Sequence, residues 1–245
     1  MNTNLLSPIQ NADENPRLEF RDGQAMLRMT STAGTNIERL VSMAAVREAA
    51  LGIPVDSGWI DPEIVRWGDG RRGEWAVMFV PARLHNLELT TGAPPDEVVE
   101  RINAPLPAFA FMGIACKYFV WALKTEEFRP YNEIYRAPLP NVYGANVEAG
   151  SEVHLAGEIC WGYLRPPNAS PRNMKRAWDL FIGSTFNNHA ANGKSKTHPE
   201  DVRDLLKELA GETASYPVDD LMRFDQGITL DQMVRLIFSA GGMIE

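Results

Sequence analysis

The chain has 245 residues, 24 basic against 32 acidic side chains, a net charge of −8 and 44% hydrophobic residues. That length buries a core unaided, and two cysteines exclude both a disulfide scaffold and a four-thiolate zinc site. The acidic balance argues against a general nucleic-acid binder, and no run of about 18 apolar residues offers a membrane span, so a cytoplasmic protein with no nucleic-acid or membrane partner is expected.

Residues 1–16 are polar, contain Pro8 and Pro16, and lack the basic start and apolar stretch of a secretory signal; a disordered tail is expected there. Two short alternating runs then flank Asp22-Gly23, the preferred dipeptide of a tight hairpin turn. Thr35 and Glu38 have capping-box spacing, and Ile37, Leu40, Val41, Ala44 and Ala45 share one face, which predicts an amphipathic helix ended by Gly52 and Pro54.

Strands are predicted at Trp75 to Val80 and Leu84 to Leu89. Phe109 to Leu123 is rich in β-branched and aromatic residues, and its periodicity fits one long strand or a strand leading into a helix. Cys116, inside that run, reads as a small buried apolar residue. Residues 128–171 are proline-rich and irregular, yet their large apolar residues speak against disorder. Ser170 and Pro171 then predict a helix start, with Met174, Ala177, Trp178, Phe181 and Ile182 on one face. Capping boxes at Thr197/Glu200 and Thr229/Gln232 predict two further helices. Strands followed by helices point to an α+β fold, with helices flanking an antiparallel sheet.

Cys160 is the first chemical candidate, because it lies on an irregular segment between Gly157 and Gly162. Histidines are scarce: His85, His154, His189 and His198. No histidine pair has ligand spacing on a helix, no Cys-x-x-Cys exists and no phosphate-binding loop occurs, so neither a metal nor a cofactor is expected.

Tyr135-Arg136-Ala137-Pro138-Leu139-Pro140-Asn141-Val142-Tyr143, followed by Gly157-Glu158-Ile159-Cys160-Trp161-Gly162, resembles the active-site segment of a ubiquitin-conjugating enzyme. Leu139-Pro140-Asn141 stands where such enzymes carry His-Pro-Asn, and Gly157-x-Ile159-Cys160 matches their nucleophile segment. Trp178, Phe181, Phe186, Asn187 and His189 are similar to the helix and tail of one bacterial branch, the prokaryotic conjugating-enzyme-like family D, which includes protein B of the PRTRC system.

The resemblance implies a conjugating-enzyme-like domain over residues 17–198, with the N-terminal hairpin and helix, and a helical extension over 199–245. It implies thioester formation at Cys160 with a ubiquitin-like protein delivered by a ThiF-type activating enzyme, then transfer to an amine. Asn141 would stabilise the oxyanion, and His189 and Asn187 would orient the acceptor. The C-terminal helices need cover from the core, from a second copy in a homodimer, or from the activating enzyme. Two departures stand out. Leu139 replaces the histidine, and nineteen positions separate Asn141 from Cys160, so Gly144 to Ala156 must form a β-like excursion that brings the two back together. The alternatives are a catalytically silent binding protein of the same fold and a cysteine hydrolase using His154 or His189 as base.

Overall fold

The computed structural model describes residues 17–21, 24–30, 35–42, 46, 61–70, 73–91, 98–149, 152–211 and 215–240. The expected tail, the Asp22-Gly23 turn and most of the stretch after residue 42 lie outside them. The chain divides into two compact units, residues 1–58 and 59–245.

The first unit is a meander of β1 (Arg17–Arg21), β2 (Gln24–Thr30) and β3 (Asn36–Val41). β1 and β2 form the expected hairpin, with Arg21 opposite Gln24. β3 corrects the helix predicted from Thr35 onward. Ile37 and Val41 satisfy a period of two as well as one of 3.6, and both pair with β2, opposite Met29 and Ala25. Glu38, expected to cap a helix, instead pairs with Arg28 across the strands at 2.8 Å, and Arg28 also meets Glu19 at 3.1 Å. Opposite charges on neighbouring strands are favoured cross-strand partners.

The second unit is built on a five-stranded antiparallel sheet. Its members are β4 (Ile64–Gly70), β5 (Gly73–Val80), β8 (Ala108–Ile114), β9 (Lys117–Leu123) and β10 (Tyr135–Arg136), in the order β10-β9-β8-β5-β4. β6 (Arg83–Thr91) and β7 (Val98–Leu106) form a long antiparallel pair, and β13 (Thr185–Phe186) adds to β6 in parallel. A small hairpin of β11 (Val147–Ala149) and β12 (Glu152–His154) stands apart.

Both faces of the main sheet are covered. On one, Phe109, Phe111, Tyr118 and Val120 pack with α1 (Met174–Ile182), α2 (Val202–Glu208) and the β6–β7 pair. On the other, Ala110, Met112, Phe119 and Trp121 pack with Leu230, Met233, Val234, Ile237 and Phe238 of α3 (Leu230–Ala240). β8 is therefore buried along its whole length, which is why Phe109 to Leu123 shows no alternation. The helices beyond residue 199 find their cover in this core. The Thr229/Gln232 capping box forms as predicted, with Thr229 N–H donating to Gln232 Oε1 at 2.9 Å and Gln232 N–H to Thr229 Oγ1 at 3.3 Å.

Three local expectations change. Cys116 is exposed, because Ile114 pairs with Lys117 and leaves Ala115 and Cys116 as a two-residue turn on the rim. Ser170 closes a turn through its carbonyl, which accepts from Asn173 N–H at 2.9 Å, so α1 starts at Met174. The α2 cap is Asp201, which accepts from Arg203 N–H, while Thr197 turns to Asp220, donating to its carboxylate at 2.9 Å.

His85 on β6 is buried edge-on to Trp178, with ring centroids 6.0 Å apart. Burial, helped by the charge on Arg83, lowers its pKa to about 4. The unfolded chain, with the histidine near its ordinary value of 6.5, takes up the proton first as the pH falls. The contribution is complete above about pH 6.5 and is lost on the way down to about pH 4, a span worth roughly 3 kcal/mol. In urea titrations across that window, His85→Gln should lose less stability than the native chain; equal losses would put the acid sensitivity elsewhere.

Candidate active site

Residues 158–160, entered through a turn at Gly157, run as an extended segment with partners on both sides. On one side, Ile159 N–H donates to Tyr118 O and Val120 N–H to Gly157 O, both at 2.9 Å, which adds the segment to the edge of β9. On the other, Val142 bridges Ile159, Tyr143 N–H donates to Glu158 O at 2.9 Å and Cys160 N–H donates to Asn141 O at 2.8 Å. The nineteen-position gap is closed by this pairing. The β11–β12 hairpin leaves after Tyr143 and returns at Gly157, whose N–H donates to Tyr143 O at 2.7 Å. Two more bonds fix its base: Ala156 N–H to Asn146 Oδ1 at 2.9 Å, and Trp121 Nε1–H to Ala156 O at 3.1 Å.

Val142 and Ile159 are buried in the core, and the backbone pairing beside them makes Asn141 and Cys160 neighbours at its edge. The Cys160 thiol is half-buried. Asn141 has a left-handed backbone, φ +58°, a conformation that asparagine tolerates better than most residues. Its N–H donates to His189 O at 2.8 Å, and its carboxamide Nδ2 rests on Thr185 O at 3.3 Å. Asn187 Oδ1 accepts the His189 N–H at 2.8 Å, so that side chain shapes the turn carrying His189. Cys160, Asn141 and His189 are thus linked one to the next through backbone hydrogen bonds, on segments distant in sequence, and the Asn187 side chain accepts from the His189 amide.

A polar cluster adjoins them. His154 stacks on Tyr143 with ring centroids 4.4 Å apart, and the exposed His189 ring meets the same tyrosine edge-on at 5.5 Å. Glu158 Oε1 lies 3.3 Å from His154 Nδ1 and accepts from Lys117 Nζ at 3.0 Å.

A family model described as prokaryotic E2 family D matches residues 38–224, which include every residue of this site. The chain belongs to prokaryotic E2 family D. No curated protein and no solved structure matches it. Membership makes it a protein of the conjugating fold, and no helix among its described residues is long and apolar enough to cross a membrane.

One residue of this family D site escapes sequence reasoning. Lys194 is fully buried, and its ammonium donates to the carbonyls of Leu139 and Val142, on either side of Pro140-Asn141. Burial, with the Arg136 charge nearby, pushes its pKa well below the ordinary lysine range. In Gly193-Lys194-Ser195-Lys196 nothing in the residue pattern separates it from a solvated loop lysine.

Gly157 is where the backbone leaves no room. It has φ +92°, and a Cβ there would lie 2.1 Å from the Trp121 indole nitrogen. Gly157→Ala should therefore lose at least about 2 kcal/mol of stability, read by urea unfolding. Loss of much less would mean that the Trp121 ring moves aside freely.

Proposed function

We propose that this protein accepts a ubiquitin-like protein from a ThiF-type activating enzyme as a thioester on Cys160 and passes it to an amine. The observation that carries this reading is the backbone Cys160 N–H···O=C Asn141 bond at 2.8 Å, which makes the half-buried Cys160 and Asn141 neighbours on paired segments.

The Cys160 thiolate attacks the carbonyl carbon of the incoming thioester. A new C–S bond forms, the old one breaks and the activating enzyme's sulfur leaves as thiolate. A thiolate suits both halves of the relay, being a strong nucleophile and a good leaving group. In the second step an amine attacks the same carbon, the bond to Cys160 breaks and the amine's surplus proton passes to water or a neighbouring acceptor. In both steps the carbonyl oxygen becomes an oxyanion, to which the Asn141 carboxamide donates after leaving Thr185 O. The exposed His189, held by Asn187, stands beside Asn141 to orient the acceptor amine. Two unpaired cysteines suit a reducing compartment, and the cytoplasm is the proposed site of action.

Incubation with the activating enzyme, ATP and the ubiquitin-like partner should yield a reductant-sensitive adduct. Cys160→Ala should yield none, and Cys160→Ser a reductant-resistant oxyester or none. Asn141→Ala should charge to the same extent but discharge to free lysine slower by on the order of a hundredfold or more. An adduct that persists in Cys160→Ala would reassign the nucleophile. Absence of any adduct on the native chain would leave a protein that binds conjugation partners without catalysing transfer.

A further inference from the structure

We propose that Lys194 is a positioning residue for Asn141: by gripping the carbonyls of Leu139 and Val142 it locks the Pro140-Asn141 turn that presents the carboxamide beside Cys160. The inference rests on the reading of Cys160 and Asn141 just given and deepens it.

Leu139 and Val142 both offer carbonyl oxygens to the same interior point, and two acceptors have no bond to make with each other. Both residues are buried, at 0% and 1% exposure, so water is not at hand to satisfy them. One nitrogen with at least two N–H donors, reaching in from a different segment, joins them across the intervening dipeptide. Pro140 has no N–H to contribute, and Asn141 must hold φ +58° throughout.

The clamp is itself anchored. Gly193, with φ +65°, donates its N–H to Pro199 O at 2.7 Å, and its carbonyl accepts from Arg136 Nη1 at 3.1 Å. On the other flank Ser195 bridges Leu221, and Asp220 Oδ1 accepts from the backbone N–H groups of Lys196 and Thr197 at 3.1 and 2.8 Å. The lysine stem thus enters from a backbone fixed on both sides.

A fully buried lysine is a poor choice for stability alone, since an apolar residue of similar volume often serves as well or better. Its value here is directional, because both of its acceptors belong to the loop that carries Asn141. The Cys160 N–H bonds the carbonyl of Asn141 itself, so slack in that turn reaches the nucleophile's own backbone.

The test uses the full chain loaded at Cys160 with a glycine-terminated peptide thioester of mercaptoethanesulfonate, which needs no activating enzyme. Lys194→Met, close in volume and without donors, should load like the native chain and discharge to free lysine at least about tenfold more slowly. The double variant Lys194→Met/Asn141→Ala should discharge no more slowly than Asn141→Ala alone, because the two act through one group. Native-like discharge by Lys194→Met, or effects that multiply in the double variant, would overturn the inference. Amide hydrogen exchange supplies a readout free of chemistry: in Lys194→Met the Asn141 and Cys160 amides should exchange at least about tenfold faster, while those of β8 keep their protection. If Asn141→Ala discharges like the native chain, the oxyanion role of Asn141 fails, and the exchange rates alone decide whether Lys194 holds the turn. Unchanged exchange at both amides refutes it.

Discussion

The site depends on one backbone junction, the antiparallel pairing of residues 141–143 with 157–160. It sets the spacing of two side chains that the chain order keeps far apart. Bonds of this kind contribute modestly to stability, about 1 kcal/mol net each. They matter here because they are directional and mutually reinforcing. The middle segment is bonded on one edge to β9 and on the other to the Asn141 loop, so its backbone cannot shift without breaking a ladder on one side. Val142 and Ile159, both buried, fasten that ladder to the core.

Behind the junction lies a sheet covered on both faces. Phe119 and Trp121 of β9 face α3, whereas Tyr118 and Val120 face α1 and its neighbours. The strand that supports the Cys160 segment is therefore held from two sides by large aromatic side chains. Trp121 joins the two levels of organisation, because its indole fills the second core, bonds the Ala156 carbonyl and lies against Gly157. The glycine in the nucleophile motif thus answers to packing as well as to backbone conformation.

Much of this was legible beforehand, and the losses have physical causes. The hairpin of β1 and β2, the faces of α1 and α3, and the Thr229/Gln232 cap follow from local spacing, which tertiary contacts reinforce. β3 was misread because Ile37 and Val41 fit both periods, and the pairing with β2 that decides between them is non-local. Cys116 was misplaced because an unbroken apolar run hides a two-residue turn. At the site, the Gly157-x-Ile159-Cys160 and Pro140-Asn141 pieces were readable as motifs, and so was the need for an excursion between them. Lys194 was not, since its burial is created by carbonyls of a loop more than fifty positions away.

The β11–β12 hairpin has a consequence of its own. Its base is sealed by the Gly157, Ala156 and Trp121 bonds, so the span beyond them is set apart from the backbone around Cys160. Each doubling of such a span costs only about 0.6 kcal/mol in closure entropy. Related chains are free to lengthen, trim or recharge this appendage while the Cys160–Asn141 pairing stays put. That makes it a natural place for divergence in docking preference, and a tolerant position for an inserted label.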